Sequence, residues 1–243
     1  MTSRIPAITG EQMAEVDRIM MQDMGVDSLQ LMELAGYGVA DAVRRHAGID
    51  LHARPRILAL AGTGGNGGDA MVAARLLQAW GAKTTTVLVK PRDSFSGTAR
   101  HQLAILDRMD IPVREPAEVE ALPDADLVID GLLGFSLRGD PRGEAARLIR
   151  MANDHPAPVV AIDLPSGLNA TTGHVGDPCI QASMTVTLAL PKTGLLTAPQ
   201  AVTGEIWLAD IGVPSSVYDR IGVQVPPDLF STGSPNRLPG EIR

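Results

Sequence analysis

Three turns in this 243-residue sequence carry most of its potentially reactive side chains. The first, Gly62-Thr-Gly-Gly-Asn-Gly-Gly-Asp69, embeds Asn66 and Asp69 in a run of glycines. Glycine lets a backbone approach a ligand closely, and free amides at the start of a following helix attract phosphate. Asn and Asp in a turn also bond their own backbone, so each of these two fits a structural role as well as a ligand contact. The second turn follows Leu127-Val-Ile-Asp130 and runs from Gly131 to Gly143. A carboxylate that ends an apolar strand is costly to bury unless donors or a cation meet it. Arg138 and Arg142 in this loop can reach a phosphate, although an arginine in a loop is more often simply solvated. The third turn is Ala161-Ile-Asp-Leu-Pro-Ser-Gly167. Asp163 again ends an apolar run, and Pro165 with Gly167 fixes the turn that presents Ser166. Lys192, in Leu190-Pro-Lys-Thr-Gly-Leu195, stands at one more strand end, where by itself it reads as a solvated lysine.

The oxygens of Asn66, Asp130 and Ser166 can converge on one cation. Two neutral oxygens and one carboxylate suit a weakly charged, oxygen-seeking ion better than zinc or copper, which favour nitrogen and sulfur. His101, His155 and His174 are dispersed and read as surface residues. Gly62, Gly64 and Gly67 satisfy the dinucleotide spacing G-x-G-x-x-G. The next strand, however, ends in Val89-Lys90, without the acid expected about 20 residues on, which argues against an ordinary ribose-clamped NAD site. An NAD-dependent oxidoreductase would also need a His or Tyr–Lys catalytic pair that does not stand out. Pro165-Ser166-Gly167 lacks the Gly-x-Ser-x-Gly elbow of a serine hydrolase.

The elements that must position these turns alternate. Arg56–Ala61, Thr84–Val89, Ala125–Gly131, Pro158–Asp163, Met184–Leu190 and Glu205–Asp210 read as strands, and Ile111–Arg114 as a short edge strand. Helices are predicted over Met71–Trp80, Ser94–Met109, Arg142–Asn153 and Pro214–Ile221. Before them, apolar spacing predicts two helices, one opening at Gly10-Glu11-Gln12 and one capped by Asp27-Ser28 and running to Arg45. The pattern implies a Rossmann-like three-layer α/β/α fold with a mostly parallel central sheet and an N-terminal helical extension. In such sheets ligands bind beyond the carboxyl ends of the strands, where all three turns fall. Residues 1–222 form one expected domain, and the tail 223–243, with Pro226, Pro227, Pro235 and Pro239, is expected to lie extended on the surface or be disordered.

With 44% hydrophobic but only 3% aromatic residues, the core must be filled by aliphatic side chains and methionine, as in helices packed on a parallel sheet. A formal charge of -7 with no Lys/Arg run argues against nucleic acid. The N-terminus lacks a signal-peptide core and no apolar run approaches the roughly 20 residues of a membrane span. Together with one cysteine, Cys179, this points to the cytoplasm.

In sequence order, Leu31-Met-Glu-Leu-Ala-Gly36, Asn66-Gly-Gly-Asp69, the strand-end Asp130 with its glycine loop, Asp163-Leu-Pro-Ser-Gly167 and Pro191-Lys-Thr-Gly194 resemble the NAD(P)H-hydrate epimerase family, also called the YjeF N-terminal domain. The resemblance runs from about Gly10 to about Gly222. It implies a homodimer acting on hydrated NADH or NADPH, with one potassium ion per subunit held by Asn66, Asp130 and Ser166. Gly65, Asn66, Gly67, Gly68 and Asp69, and the loop of Gly134, Phe135, Ser136, Leu137, Arg138, Gly139 and Asp140, would hold substrate. Asp163 would lie beside the nicotinamide as acid/base, assisted by Lys192. Two departures stand out. Gly65 replaces the first Asn of the family's Asn-Asn-Gly-Gly-Asp-Gly, removing one amide contact, and Ala70 its last Gly. Gly134-Phe-Ser replaces the commoner Gly-Thr-Gly, so the pocket for ribose or phosphate differs in shape. Relatives often carry a fused ATP- or ADP-dependent dehydratase domain; at this length dehydration is expected on a separate protein. The competing expectation is a non-catalytic ligand- or protein-binding module of the same fold, against which the acids Asp69, Asp130 and Asp163 and the base Lys192 are all present.

Overall fold

Each of the two N-terminal helices begins at a reciprocal cap. In the computed structural model, which describes residues 5–231 and 233–238, α1 (Gly10–Arg18) starts at Thr9, whose side chain accepts from the Gln12 amide while Gln12 reaches back to the Thr9 amide. It runs on as a π-helical turn over Ile19–Asp23. Asp27 and Gln30 form the same box at the start of α2 (Ser28–His46). The alternating part follows: β1 (Arg56–Ala61), α3 (Gly65–Ala79), β2 (Lys83–Leu88), α4 (Gly97–Arg108), β3 (Val113–Arg114), β4 (Leu127–Gly131), α5 (Gly143–Asp154), β5 (Val159–Ile162), β6 (Met184–Leu188), α6 (Thr193–Thr197), α7 (Gln200–Thr203), β7 (Glu205–Ala209), α8 (Ser215–Arg220) and β8 (Asn236–Arg237).

The strands make one sheet in the order β3-β2-β1-β4-β5-β6-β7-β8. All neighbours are parallel except β8, which runs antiparallel to β7. The chain lays down β1, β2 and β3 outward in one direction and then returns past β1 to lay down β4 onward in the other. The turns after β1 and β4 therefore diverge and leave a crevice at this switch point. Register fixes its floor: Leu60 pairs with Asp130 and Asp130 with Ala161, so the ends of β1, β4 and β5 lie level. Side chains alternate between two cores as the pleat requires. Ile57, Ala59, Ile129, Val160, Ile162 and Val186 face the layer containing α1, α2, α3 and α8. Leu58, Leu60, Val128 and Ala161 face Leu148, Ile149 and Ala152 of α5.

Two expectations change. α3 begins at Gly65, within the glycine run, rather than at Met71. Its first turn is packed too tightly for side chains: a Cβ on Gly67 would lie 1.8 Å from the Gly62 carbonyl oxygen, and one on Gly68 2.5 Å from the Met32 sulfur. The glycines are thus helical residues that bring α3 against β1 and α2, and their poor intrinsic propensity is overridden by that packing. The tail is also not merely laid on the surface. Leu229 and Phe230 pack on the core, Leu238 is buried, and β8 covers the edge of β7. Arg45 donates to the Ser234 carbonyl at 2.7 Å, and the Asp210 amide donates to Ser234 Oγ at 2.8 Å. Apolar residues interspersed among the prolines account for this docking; Pro239 lies outside the described residues. β3 is the edge strand its sequence suggested, and among the described residues no helix is long and apolar enough to cross a membrane.

Candidate active site

Asp130 ends β4 fully buried, and the third turn folds over to meet it. Ser166 donates to it twice, from its amide at 2.8 Å and from its hydroxyl at 2.6 Å, and the Leu132 amide adds a bond at 3.2 Å. Burial pushes the Asp130 carboxyl up to about 6, against the pull of these donors. Ser166 Oγ in turn accepts from the Leu133 amide at 2.9 Å. Asn66, in the first turn of α3, donates through its amide nitrogen to the carbonyls of Leu133 at 3.0 Å and Ile162 at 2.9 Å. Three segments far apart in sequence are thereby tied into one knot.

The next residue, Asp163, has φ +64°, the left-handed region, and the Leu164 amide bonds the Ile162 carbonyl at 2.7 Å across it. This γ-turn stores strain where the acid is presented. A second non-glycine in the same region, Ala189 with φ +63°, directly follows β6. Lys192 is entirely buried; its ammonium donates to Asp163 Oδ1 and, at 2.8 Å, to the Leu188 carbonyl. The Leu188 amide and Thr187 hydroxyl also donate to Oδ1, at 3.2 and 3.3 Å. Among the described residues no donor meets Asp163 Oδ2, so one carboxyl oxygen is fixed and the other is available to a ligand. Far from being solvated, Lys192 is the buried counter-ion of the site.

Asp163 and Lys192 open into a cavity of about 220 Å³ that is also lined by Gly65, Asn66, Asp69, Phe135, Met13 and Asp17. Asp69 is buried, and desolvation, followed by the negative fields of Asp163 and Asp17, raises its carboxyl well above the usual range. Asp17, on α1, is pushed up to about 6 by burial, with Lys192 pulling down and Asp163 pushing up. No motif in the sequence marks Asp17 as a site residue. Its signal is its spacing: it stands at i+4 from Met13 and i-3 from Met20, at the edge of the buried stripe of α1. Beside the cavity lies a cleft of about 560 Å³ lined by Gly64, Gly65, Asn66, Asp17, Leu133 to Ser136, Lys90 and Arg142.

Apart from Asp130 and Ser166 in the knot, the expected site residues fall into three groups. Gly65, Asn66, Asp69, Gly134, Phe135, Ser136, Asp163 and Lys192 border the cavity or the cleft. Gly67 and Gly68 lie buried between elements and shape the loop through their lack of a side chain. Leu137 and Arg138 line a separate hollow with Gly10, Asn169 and Thr171, while Gly139 is exposed and Asp140 accepts from the Asp177 amide at 3.3 Å. A Cβ on Gly65 would meet nothing within 4 Å, so its missing side chain leaves open space in the cavity wall.

The knot itself offers an all-oxygen donor set: the Asp130 carboxylate, Ser166 Oγ, the Leu133 and Ile162 carbonyls and the Asn66 amide oxygen. Among the described residues no three His, Cys, Asp or Glu side chains converge as a metal-binding group. The positive end of the Asn66 amide now sits where two carbonyls converge. An alkali ion, with Asn66 turned to present oxygen, fits the chemistry of that spot.

Fold and site together define a doubly wound α/β protein whose ligand pocket, at the switch point of its sheet, is built around acids and one buried lysine. The family described as YjeF-related protein N-terminus matches residues 28–194, and the chain belongs to that family. It is 38% identical over 220 residues to the NAD(P)H-hydrate epimerase of Dehalogenimonas lykanthroporepellens, covering 90% of this chain and 87% of that protein. The NAD(P)H-hydrate epimerase of Limosilactobacillus fermentum is 38% identical over 84% of this chain and 96% of its own length. The bifunctional NAD(P)H-hydrate repair enzyme Nnr of Moorella thermoacetica is 39% identical, and this chain spans only 41% of it. The crystal structure of yeast ynu0 shares the fold, with a TM-score of 0.80 over 91% of this chain and 96% of that one, at 23% identity.

Proposed function

We propose that this chain is an NAD(P)H-hydrate epimerase, an isomerase that interconverts the R and S forms of hydrated NADH and NADPH. The similarity to epimerases over nearly their whole length supports the activity. The observation that carries its chemistry is Asp163, strained and anchored through Oδ1, which lines a cavity shared with Lys192 and Asn66.

Hydration places a hydroxyl on C6 of the dihydronicotinamide. The ring nitrogen can expel it once the departing oxygen receives a proton, leaving an iminium that water attacks again. Asp163 exchanges a proton with the oxygen on its side of the ring, and Lys192 with Leu188 and Thr187 holds the carboxyl in place for that exchange. The apolar wall of Met13, Leu31 and Met32 limits the water that can reach the iminium. In this reading Gly65, Asn66 and the loop Gly134–Ser136 hold the nucleotide along the cleft. Asp130, Ser166, Asn66 and the Leu133 and Ile162 carbonyls hold potassium, whose charge helps fix the anionic substrate. A homodimer is supported by four large apolar side chains left exposed on or beside the N-terminal helices: Met21, Met24, Leu34 and Tyr37. Because the hydrate must finally lose water, a dehydratase activity acts next, as the bifunctional relative's name suggests. The lone cysteine is consistent with a cytoplasmic setting.

The test supplies (R)-hydrate together with a dehydratase specific for the S form. Recovery of reduced-nicotinamide absorbance becomes fast only when this protein is added; an unchanged rate contradicts the assignment.

A further inference from the structure

Asp17 has the wrong environment for a structural acid. Buried acids elsewhere show what a structural carboxyl secures: Asp41 on α2 is met by Arg44 and Arg45, and Asp130 by three donors, whereas Asp69, in the same cavity as Asp17, has neither hydrogen bond nor ion pair among the described residues. Asp17 is half-buried at the edge of the α1 stripe, between Met13 and Met20, and among the described residues its carboxyl receives no hydrogen bond and forms no ion pair. A half-buried carboxyl that lines a cavity with no protein donor on it is open to a ligand there. The groups facing it are Lys192, Asp163, Asp69 and Tyr218, from four other elements or turns. Burial raises its affinity for a proton, so it can carry one near neutrality.

Its position is as telling as its state. Asp17 borders both the cavity of Asp163 and Lys192 and the neighbouring cleft along Gly65 and Leu133 to Ser136. Asp163 enters that cavity from the carboxyl edge of the sheet and Asp17 from a helix laid over it. A flat ring bound between them would turn one face to each. Inversion at C6 needs chemistry on both faces, because the hydroxyl leaves from one and returns on the other.

We propose that Asp17 is a second catalytic carboxyl, exchanging a proton with the substrate oxygen on the ring face turned away from Asp163. The proposal rests on the epimerase reading. For the epimer whose hydroxyl faces Asp17, the protonated Asp17 carboxyl gives its proton to that oxygen. The C6–O bond breaks with its electron pair going to oxygen, water leaves, and the ring-nitrogen lone pair forms the C6=N bond. A water on the Asp163 side then bonds to C6, the π pair returns to nitrogen, and the water's extra proton passes to the Asp163 carboxylate. Oxygen and hydrogen balance, and nothing is oxidised. The reverse reaction begins from the state just reached, or proton exchange with solvent resets it.

Oxygen-18 water separates this role from a structural one. In wild type every inversion brings one labelled oxygen into the product. Inversion requires both carboxyls, whereas exchange with retention needs only the one on that face. Asp17→Asn is isosteric, and its thermal melt checks that it folds. It is expected to lose inversion by about 100-fold or more, while label still enters one epimer with retention. Asp163→Asn is expected to leave exchange in the opposite epimer. Asp17→Glu, which keeps the carboxyl, is expected to recover part of the inversion. The proposal is overturned if folded Asp17→Asn inverts within threefold of wild type, or if it loses exchange in both epimers alike. Absence of any inversion by wild type would overturn the epimerase reading itself, and this proposal with it.

Discussion

Ser166→Ala probes the knot that joins the three turns. Two contacts of the serine hydroxyl matter most: it donates to Asp130 at 2.6 Å and accepts from the Leu133 amide at 2.9 Å, with the Leu133 carbonyl further off at 3.2 Å. A hydrogen bond to a charged group contributes about 1.5–3 kcal/mol, and a buried amide left unpaired costs about 1–3 kcal/mol. The two terms overlap, because the loop can relax toward water, so the expected loss is about 3 kcal/mol at pH 8. The Ser166 and Leu132 amides still hold Asp130, which keeps the loss from being larger. The loss also depends on pH. Asp130 has a folded value raised to about 6 from 3.8. Its native form therefore holds its proton where the unfolded chain has lost it, and its contribution to stability falls as pH rises from about 4 to about 6. The serine hydroxyl, the largest of the influences that lower this value, stabilises the ionised form and limits that fall. Removing it should thus hurt less at pH 5, where much of Asp130 is protonated, than at pH 8. Urea unfolding in potassium-free buffer measures both; with an m-value of about 3 kcal/mol/M the midpoint drops by about 1 M at pH 8. A change below about 0.5 kcal/mol at both pH values would refute the buried hydrogen-bonded arrangement.

Gly67→Ala places a Cβ 1.8 Å from the Gly62 carbonyl oxygen, so it should destabilise by about 3 kcal/mol or prevent folding, read as midpoint shift or soluble yield. Gly65→Asn fills open space at the cavity wall; one added hydrogen bond of about 1 kcal/mol should lower KM for the hydrate about fivefold, and a raised KM would contradict the placement of that wall. Asp17, raised to about 6 by burial, should make the protein less stable as pH rises from about 4 to about 6, by roughly 3 kcal/mol at most; Asp17→Asn should flatten that part of a stability-against-pH curve. Lys192→Met strips a buried carboxylate of its counter-ion and should cost about 3–5 kcal/mol in chemical denaturation, together with the activity; unchanged stability would mean that the ion pair is not formed.

The carboxyl-end acids were legible because a charged residue closing an apolar strand has few ways to be satisfied, and three such turns lay at strand ends in a βαβ pattern. Asp130 and Ser166 are hydrogen-bonded to each other, Asp163 instead faces the neighbouring cavity with Lys192, and the switch-point crevice follows from the strand order. Periodicity conveys less about partners. Lys192 alone looks solvated, and only the fold shows that it is sealed against Asp163. Asp17 was hidden by its surroundings, an acid in a methionine-rich stripe whose meaning depends on what that helix covers. The onset of α3 was obscured because glycine propensity opposes helix formation, whereas close contact with Gly62 and Met32 demands it. The proline-rich tail suggested an unattached segment, yet Leu229, Phe230 and Leu238 supply enough apolar surface to dock it.

The central claim is that the pocket at the switch point inverts C6 of a hydrated nicotinamide through Asp163. Chromatographic separation of the two hydrate epimers, starting from pure R form, tests it directly with wild type and Asp163→Asn side by side. Wild type should bring the mixture to equilibrium far ahead of the spontaneous reaction, while the variant binds the hydrate but leaves it in the R form. Equal rates for the two proteins would contradict the account.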